Sequence, residues 1–116
     1  EIGKALPRNE YPVFDIGLDH PIHHVMFDVE EVPQIPSIQH WRRSGGSTTS
    51  ERGSYSDDVH FRGIADKSGR LLVLMSHNTD IADGWEREGE NYEFFYKFSI
   101  NAYAVGINAV VHAMTF

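Results

Sequence analysis

Cysteine is absent from all 116 residues. Its absence excludes a thiol nucleophile, a thiolate metal site and a disulfide framework within this stretch. Basic side chains are scarce, 10 Lys and Arg against 17 Asp and Glu, for a formal net charge of −7. A polyanion calls for a basic footprint, so nucleic acid is not an expected partner, and Arg42-Arg43 beside Trp41 is too small a patch to change that. No apolar run approaches the roughly 20 residues of a membrane span. An initiator Met and a charged-then-apolar leader are missing as well. What is present is an apolar fraction of 41% with 12% aromatics, enough for a core and too much for a disordered chain. The length suits a single domain.

The chain opens with Ile2, Ala5 and Leu6 on one helical face after Glu1, and Pro7 stops the pattern. These residues read as the last turn or two of a helix whose upstream part is missing; a frayed terminal segment is the alternative. Tyr11 to Ile16 reads as a short strand closed by Gly17. In Asp19-His20-Pro21-Ile22-His23-His24, Asp19 is positioned to cap a short helical turn with Pro21 near its start. Val25 to Val29 alternates weakly and reads as extended, and Pro33 and Pro36 mark irregular chain.

Residues 37–58 are polar and contain Ser44-Gly45-Gly46-Ser47-Thr48-Thr49-Ser50. A linker between two domains would have this composition. Little core precedes it, so a long surface loop is the better reading; loops beyond about 12–15 residues are usually functional or mobile. Val59 to Ala65, the turn Asp66-Lys67-Ser68-Gly69 and Arg70 to Ser76 form the clearest unit, strand–turn–strand. Leu71 to Met75 is apolar on both faces, the pattern of a central, fully buried strand. The tail is helical. Asn91 is a cap, Glu93 lies in the first turn, and Tyr92, Phe95 and Ser99 share a face. Tyr103, Ile107, Val110, Val111 and Met114 follow helical spacing, with a kink or break expected near Asn101 and Gly106 placed for close packing on a sheet.

The functional signal lies where polarity returns after the apolar strand. His77 is a possible base or ligand, Asn78 an amide, Asp80, Asp83 and Glu86 carboxylates, and Trp85 an aromatic platform. Ligands of open α/β sheets sit at the carboxyl ends of strands, where this segment emerges. Such a set suits a sugar, with Trp85 stacked on the ring, or a hard cation held by the three carboxylates. Turn and cap formation by Asn78, Thr79 and Asp80, with Trp85 covering a core edge, accounts for the same residues without a ligand. His60 and Arg62 share one strand face and would line the same site if their strand neighbours that of His77, although a solvated or loop-covered strand face is the better account of them. His20, His23 and His24 have spacings a transition metal accepts, although histidines at a proline turn are more often capping or surface groups. His112 reads as a packed or exposed helix residue.

The ordered segments Asp19-His20-Pro21-Ile22, Pro33-Gln34-Ile35-Pro36, His60-Phe61-Arg62-Gly63-Ile64, Gly69-Arg70, Ser76 to Ile81, Asp83 to Glu90, Gly106-Ile107-Asn108 and Ala113-Met114-Thr115 resemble the bacterial domain-of-unknown-function family 4159. The stretch from His77 to Glu90 carries most of the specificity. Thr49-Ser50-Glu51-Arg52 is similar to a Thr-aromatic-Glu-Arg segment of that family, with Ser50 in place of the aromatic, and it adds Glu51 to the candidate residues. The resemblance implies an α/β fold, the C-terminal part of a flavodoxin-like (class I glutamine amidotransferase-like or trehalose-utilisation-like) sandwich. That fold has a central, mostly parallel sheet and C-terminal helices. It also implies that residues 1–116 are one domain, the C-terminal half of a larger one, in a protein exported or tethered at the bacterial envelope. His77 then occupies the late-strand position of the amidotransferase histidine, by analogy of fold rather than by motif. Any strand-to-helix elbow with a nucleophile would lie upstream.

Three functions follow as expectations. The first is a non-catalytic binding or assembly module of the envelope, periplasmic or membrane-associated, with a glycan or protein partner, no cofactor, and a pocket at residues 77–86. The second is a hydrolase-like enzyme in which His77 is the base and Asp80 or Asp83 orients it. The third is a structural subunit of a larger complex.

Overall fold

A computed structural model describes residues 2–87 and 89–116; Glu1, at the start of the expected opening helix, and Glu88, in the Asp83–Glu90 sequence segment, lie outside the described residues. The elements in chain order are α1 (Ile2–Ala5), β1 (Phe14–Ile16), a 3-10 turn (Pro21–His23), α2 (Ile38–Arg43) and a second 3-10 turn (Gly53–Ser56). There follow β2 (His60–Ala65), β3 (Leu71–His77), α3 (Ile81–Glu86), α4 (Tyr92–Phe94), a π-turn (Phe95–Ser99) and α5 (Ile100–Thr115).

The sheet is a three-stranded antiparallel meander in the order β1-β2-β3. It overturns the expected flavodoxin-like sandwich with a mostly parallel sheet. The physical reason lies at Asp66–Gly69. The Asp66 carboxylate accepts bonds from Ser68 N at 3.0 Å, Ser68 Oγ at 2.7 Å and Arg70 N at 2.9 Å, and Gly69 takes φ +89°. So tight a turn can only join antiparallel strands; a parallel pair needs a crossover of a dozen residues or more. The late-strand analogy for His77 falls with the parallel sheet. β3 is also not central. It forms an edge of the sheet, Leu72 is 46% exposed and the rest of the strand is at best half-buried. An apolar composition records what a strand can bury, not how many neighbours it has.

The sheet face carrying Ile16 and Phe61 joins Ile22, Ile35, Ile38, Trp41, Phe94, Phe98, Ala102 and Val105 in one core, with Leu71 and Leu74 packed against it. Residues 37–58 contribute to that core through α2, whose Ile38 and Trp41 are buried; Trp41 meets Phe98 edge-on at 5.0 Å. Ser37 caps α2 through a bond from His40 N. The first 3-10 turn is capped by His20, not Asp19: His20 Nδ1 accepts from Ile22 N at 3.1 Å. Residues 25–27 form bends and 28–29 are irregular, so this segment is not a strand.

Asn91 caps the C-terminal helix as expected, accepting from Phe94 N at 2.9 Å. Its irregularity is the π-turn at Phe95–Ser99, ahead of Asn101. The buried face of α5 is Ala102, Val105, Asn108 and His112, so the periodic set ending at Met114 points outward. Gly106 makes room for an indole and not for a sheet: a Cβ there would lie 2.7 Å from Trp85 Cζ2. No helix among the described residues is long and apolar enough to cross a membrane.

Candidate functional site

Beyond β3 the chain turns at Asn78, which adopts φ +59°, a left-handed conformation that asparagine tolerates better than most residues. Its side-chain amide donates to Asp58 O at 2.7 Å and fixes the turn against the start of β2. Thr79 then works in both directions on the irregular Pro33–Pro36 segment. Its hydroxyl donates to Pro33 O at 2.6 Å and accepts from Ile35 N at 2.8 Å. Asp80 N donates to Ile35 O at 2.7 Å, and Gln34 Nε2 donates to Asn78 O at 3.3 Å. A proline-flanked segment cannot satisfy its backbone in a ladder, and Ile35 is buried, so these groups need partners from elsewhere. The polar run after β3 supplies them.

Asp80 caps α3 by accepting from Asp83 N at 3.1 Å. Burial pushes its carboxyl above the ordinary carboxylate range; the bond from Asp83 N opposes the rise, and the negative charges of Asp83, Glu51 and Glu86 add to it. Asp83 Oδ2 accepts from Ile38 N at 2.9 Å, at the start of α2. Glu51 Oε1 accepts from Ser37 N at 2.6 Å. Burial alone would raise Glu51, but the bonds from Ser37 outweigh it, helped by His40 and Arg43, and its carboxyl lies below the usual value. Glu86 is exposed at the end of α3.

These residues do not all meet. Asn78, Asp80 and Glu51 line an open cleft of about 370 Å³ together with Ile35, Arg52 and Ser76. Trp85 is not part of it: the indole Nε1 donates to Ala102 O at 2.7 Å, and the ring lies over Gly106 in a separate groove. His77 is exposed and sits opposite His60 in the β2–β3 pair, their rings 4.6 Å apart. The neighbouring strands thus bring His60 and His77 together as expected, while Arg62 is drawn away to Asp15, with Nε 3.0 Å from Oδ1. Among the described residues, no carboxylate hydrogen-bonds His77.

The three histidines of the proline turn diverge. His20 caps the turn and lies 5.5 Å from the ring of His112. His23 is buried and stacked on Phe61 at 5.5 Å, with Nε2 making no hydrogen bond. Burial lowers its pKa, the positive charges of His20 and His24 lower it further, and Asp19 opposes them. His24 bridges Leu18 O at 2.6 Å and Asp28 Oδ1 at 3.1 Å. Among the described residues, no three His, Asp or Glu side chains are grouped to hold a metal ion.

One polar residue of structural weight escaped the sequence reading. Asn108 is 1% exposed; its Oδ1 accepts from Met26 N at 3.1 Å and Phe27 N at 2.9 Å, and its Nδ2 donates to Phe27 O at 2.8 Å. The available signal was an asparagine at helical spacing from Ala102 and Val105 on a helix without charged carboxylate, lysine or arginine side chains.

The Domain of unknown function (DUF4159) family matches residues 1–114. The chain belongs to this family. The match covers the segments that carried the resemblance up to Met114, including Pro33–Pro36 and the Ser76–Asp83 run that clamps it. No curated protein and no solved structure matches the chain. Membership in DUF4159 brings no assigned activity, so the chemistry of the site has to be argued from its residues.

Proposed function

We propose that this DUF4159 chain is a non-catalytic binding module of the bacterial cell envelope that takes a polyhydroxyl ligand, a glycan, in the cleft beyond β3. The observation that carries this reading is the cleft itself. About 370 Å³ of open space is lined by the Asp80 and Glu51 carboxylates, the Asn78 and Ser76 side chains and the apolar Ile35 and Ile81. Carboxylates and amides read hydroxyl groups. Trp85 has no part in this recognition, because its ring lies in a different groove.

The hydrolase reading has less support. Asp80 is engaged by Asp83 N, Asp83 by Ile38 N, and His77 faces His60, so among the described residues no carboxylate orients the base. The envelope location rests on the family resemblance and is tested by fractionating the producing cell.

The direct test is a titration of the isotope-labelled chain with neutral and acidic oligosaccharides, read by amide chemical shifts. Shifts confined to Glu51, Ser76 and Asn78–Ala82, and weakened at least tenfold by Asp80→Asn with Glu51→Gln, support the proposal. Binding unaffected by these variants, or shifts elsewhere, would remove the cleft from consideration.

A further inference from the structure

The outer face of α5 has a feature that the cleft does not use. Ile100, Tyr103, Ile107, Val110 and Met114 recur at alternating steps of three and four residues. Such a narrow apolar stripe with a 3.5-residue period is the seam of a helix pair, rather than the broader face that packs on a core. The core face of α5 is already occupied by Ala102, Val105, Asn108 and His112. On the stripe, Ile100 is 54% exposed, Val110 60% and Met114 80%, and Tyr103 is half-buried. Beside it, Trp85, Gly106 and Val111 shape a groove of about 360 Å³.

Two observations indicate what covers the stripe. The first is charge. Residues 98–116 contain no Asp, Glu, Lys or Arg, in a chain whose net charge is −7. A second copy is repelled by most of this surface and not by this face. An anionic membrane surface is a poor occupant for the same reason, since interfacial helices hold it with Lys and Arg. The second observation is self-complementarity. Turned about Ile107, this face meets itself with apolar side chains at every step, Ile100 opposite Met114, Tyr103 opposite Val111, Ala104 opposite Val110 and Ile107 opposite Ile107. Large faces small, and the antiparallel arrangement also opposes the two helix dipoles favourably.

We propose that α5 pairs antiparallel with α5 of a second copy of this chain, about a two-fold axis beside Ile107. One helix pair of this length is smaller than a standard interface, so the dimer is weak and forms with rising concentration. The pairing lies on a surface separate from the cleft and does not depend on the glycan reading.

Sedimentation equilibrium of the whole chain from micromolar to millimolar concentration tests it. A monomer–dimer equilibrium is expected, with Ile107→Glu weakening association at least tenfold while far-UV circular dichroism stays unchanged, because Ile107 is already 41% exposed. As the chain has no cysteine, Ile107→Cys gives an independent readout: it should form a disulfide-linked dimer on mild oxidation faster than Lys4→Cys. A monomer throughout, a dimer indifferent to Ile107→Glu, or equal cross-linking at both positions would overturn the proposal. So would binding of neutral lipid vesicles by a chain that stays monomeric.

Discussion

The carboxylate of Asp83 accepts the hydrogen bond of Ile38 N at 2.9 Å, so a side chain in α3 caps the first residue of α2, 45 positions earlier in the chain. Ile38 is buried, and its N–H has no intrahelical acceptor because it begins the helix. Asp83→Ala should therefore lower stability by about 1–3 kcal/mol, the penalty of leaving a buried donor dry. Asp83→Asn keeps an acceptor and should lose less. Chemical denaturation of the two variants checks the order.

Asp80 separates capping from charge. Asn caps a helix as well as Asp does, and it removes a carboxyl that burial and three neighbouring negative charges disfavour when ionised. Asp80→Asn should leave the thermal midpoint at neutral pH unchanged or raise it. Asp80→Ala loses the bond to Asp83 N and should cost about 0.5–2 kcal/mol. Equal losses in both variants would show that the carboxylate itself is needed by the fold.

Gly84 lies where α3 crosses α5, and a Cβ there would overlap Ala102 Cβ. On helix propensity alone, Gly84→Ala would gain about 0.5–1 kcal/mol. Overpacking at a tight helix contact works against this by about 1–3 kcal/mol, so net destabilisation is expected. A rise in the midpoint of thermal unfolding would mean that the helices separate freely.

Asn108 holds Met26 and Phe27 by three hydrogen bonds from inside the core. Replacing it with Leu leaves two N–H groups and a carbonyl without these partners, at a cost of about 1–3 kcal/mol for each group that stays dry. Hydrogen exchange at Met26 and Phe27 should accelerate well before global unfolding.

Acid should weaken the same corner. His23 and His112 both have pKa values below the ordinary 6.5, His23 through burial and the charges of His20 and His24, His112 through burial and the charges of His20 and Arg70. A histidine depressed in the folded state contributes stability that is full above 6.5 and is lost as pH falls through its folded value. His24 acts in the opposite sense: its bonds to Leu18 O and Asp28 raise it, and its stabilisation fades as pH rises. His24 is exposed, so the two packed histidines should dominate. The thermal midpoint should fall from pH 7 to pH 5, and His23→Leu should flatten that slope.

Local chemistry was legible in the sequence wherever neighbours in the chain act on one another. The hairpin of β2 and β3 follows from Asp66-Lys67-Ser68-Gly69, the helix start at Tyr92 from Asn91, and the juxtaposition of His60 and His77 from the strands on either side of the turn. The absence of cysteine and the acidic surplus likewise needed no structure.

What only the tertiary structure decided is which partner each polar or apolar group finds. By sequence Thr79 is an ordinary turn former and Asp83 and Glu51 are candidate ligand-binding carboxylates, and here all three close backbone bonds of residues 33–38 far away in the chain. Periodicity placed the apolar residues of α5 on a helix, but two sets of them recur at helical spacing. Packing against the 3-10 turn and α3 chose the set at Ala102, Val105 and His112 for the core and left Ile107 and Val110 outside. Likewise, the apolar run of β3 did not reveal that one side of it has no strand neighbour. Sequence pattern specifies which surfaces can be buried. The number and position of the neighbours that bury them is a property of the assembled chain.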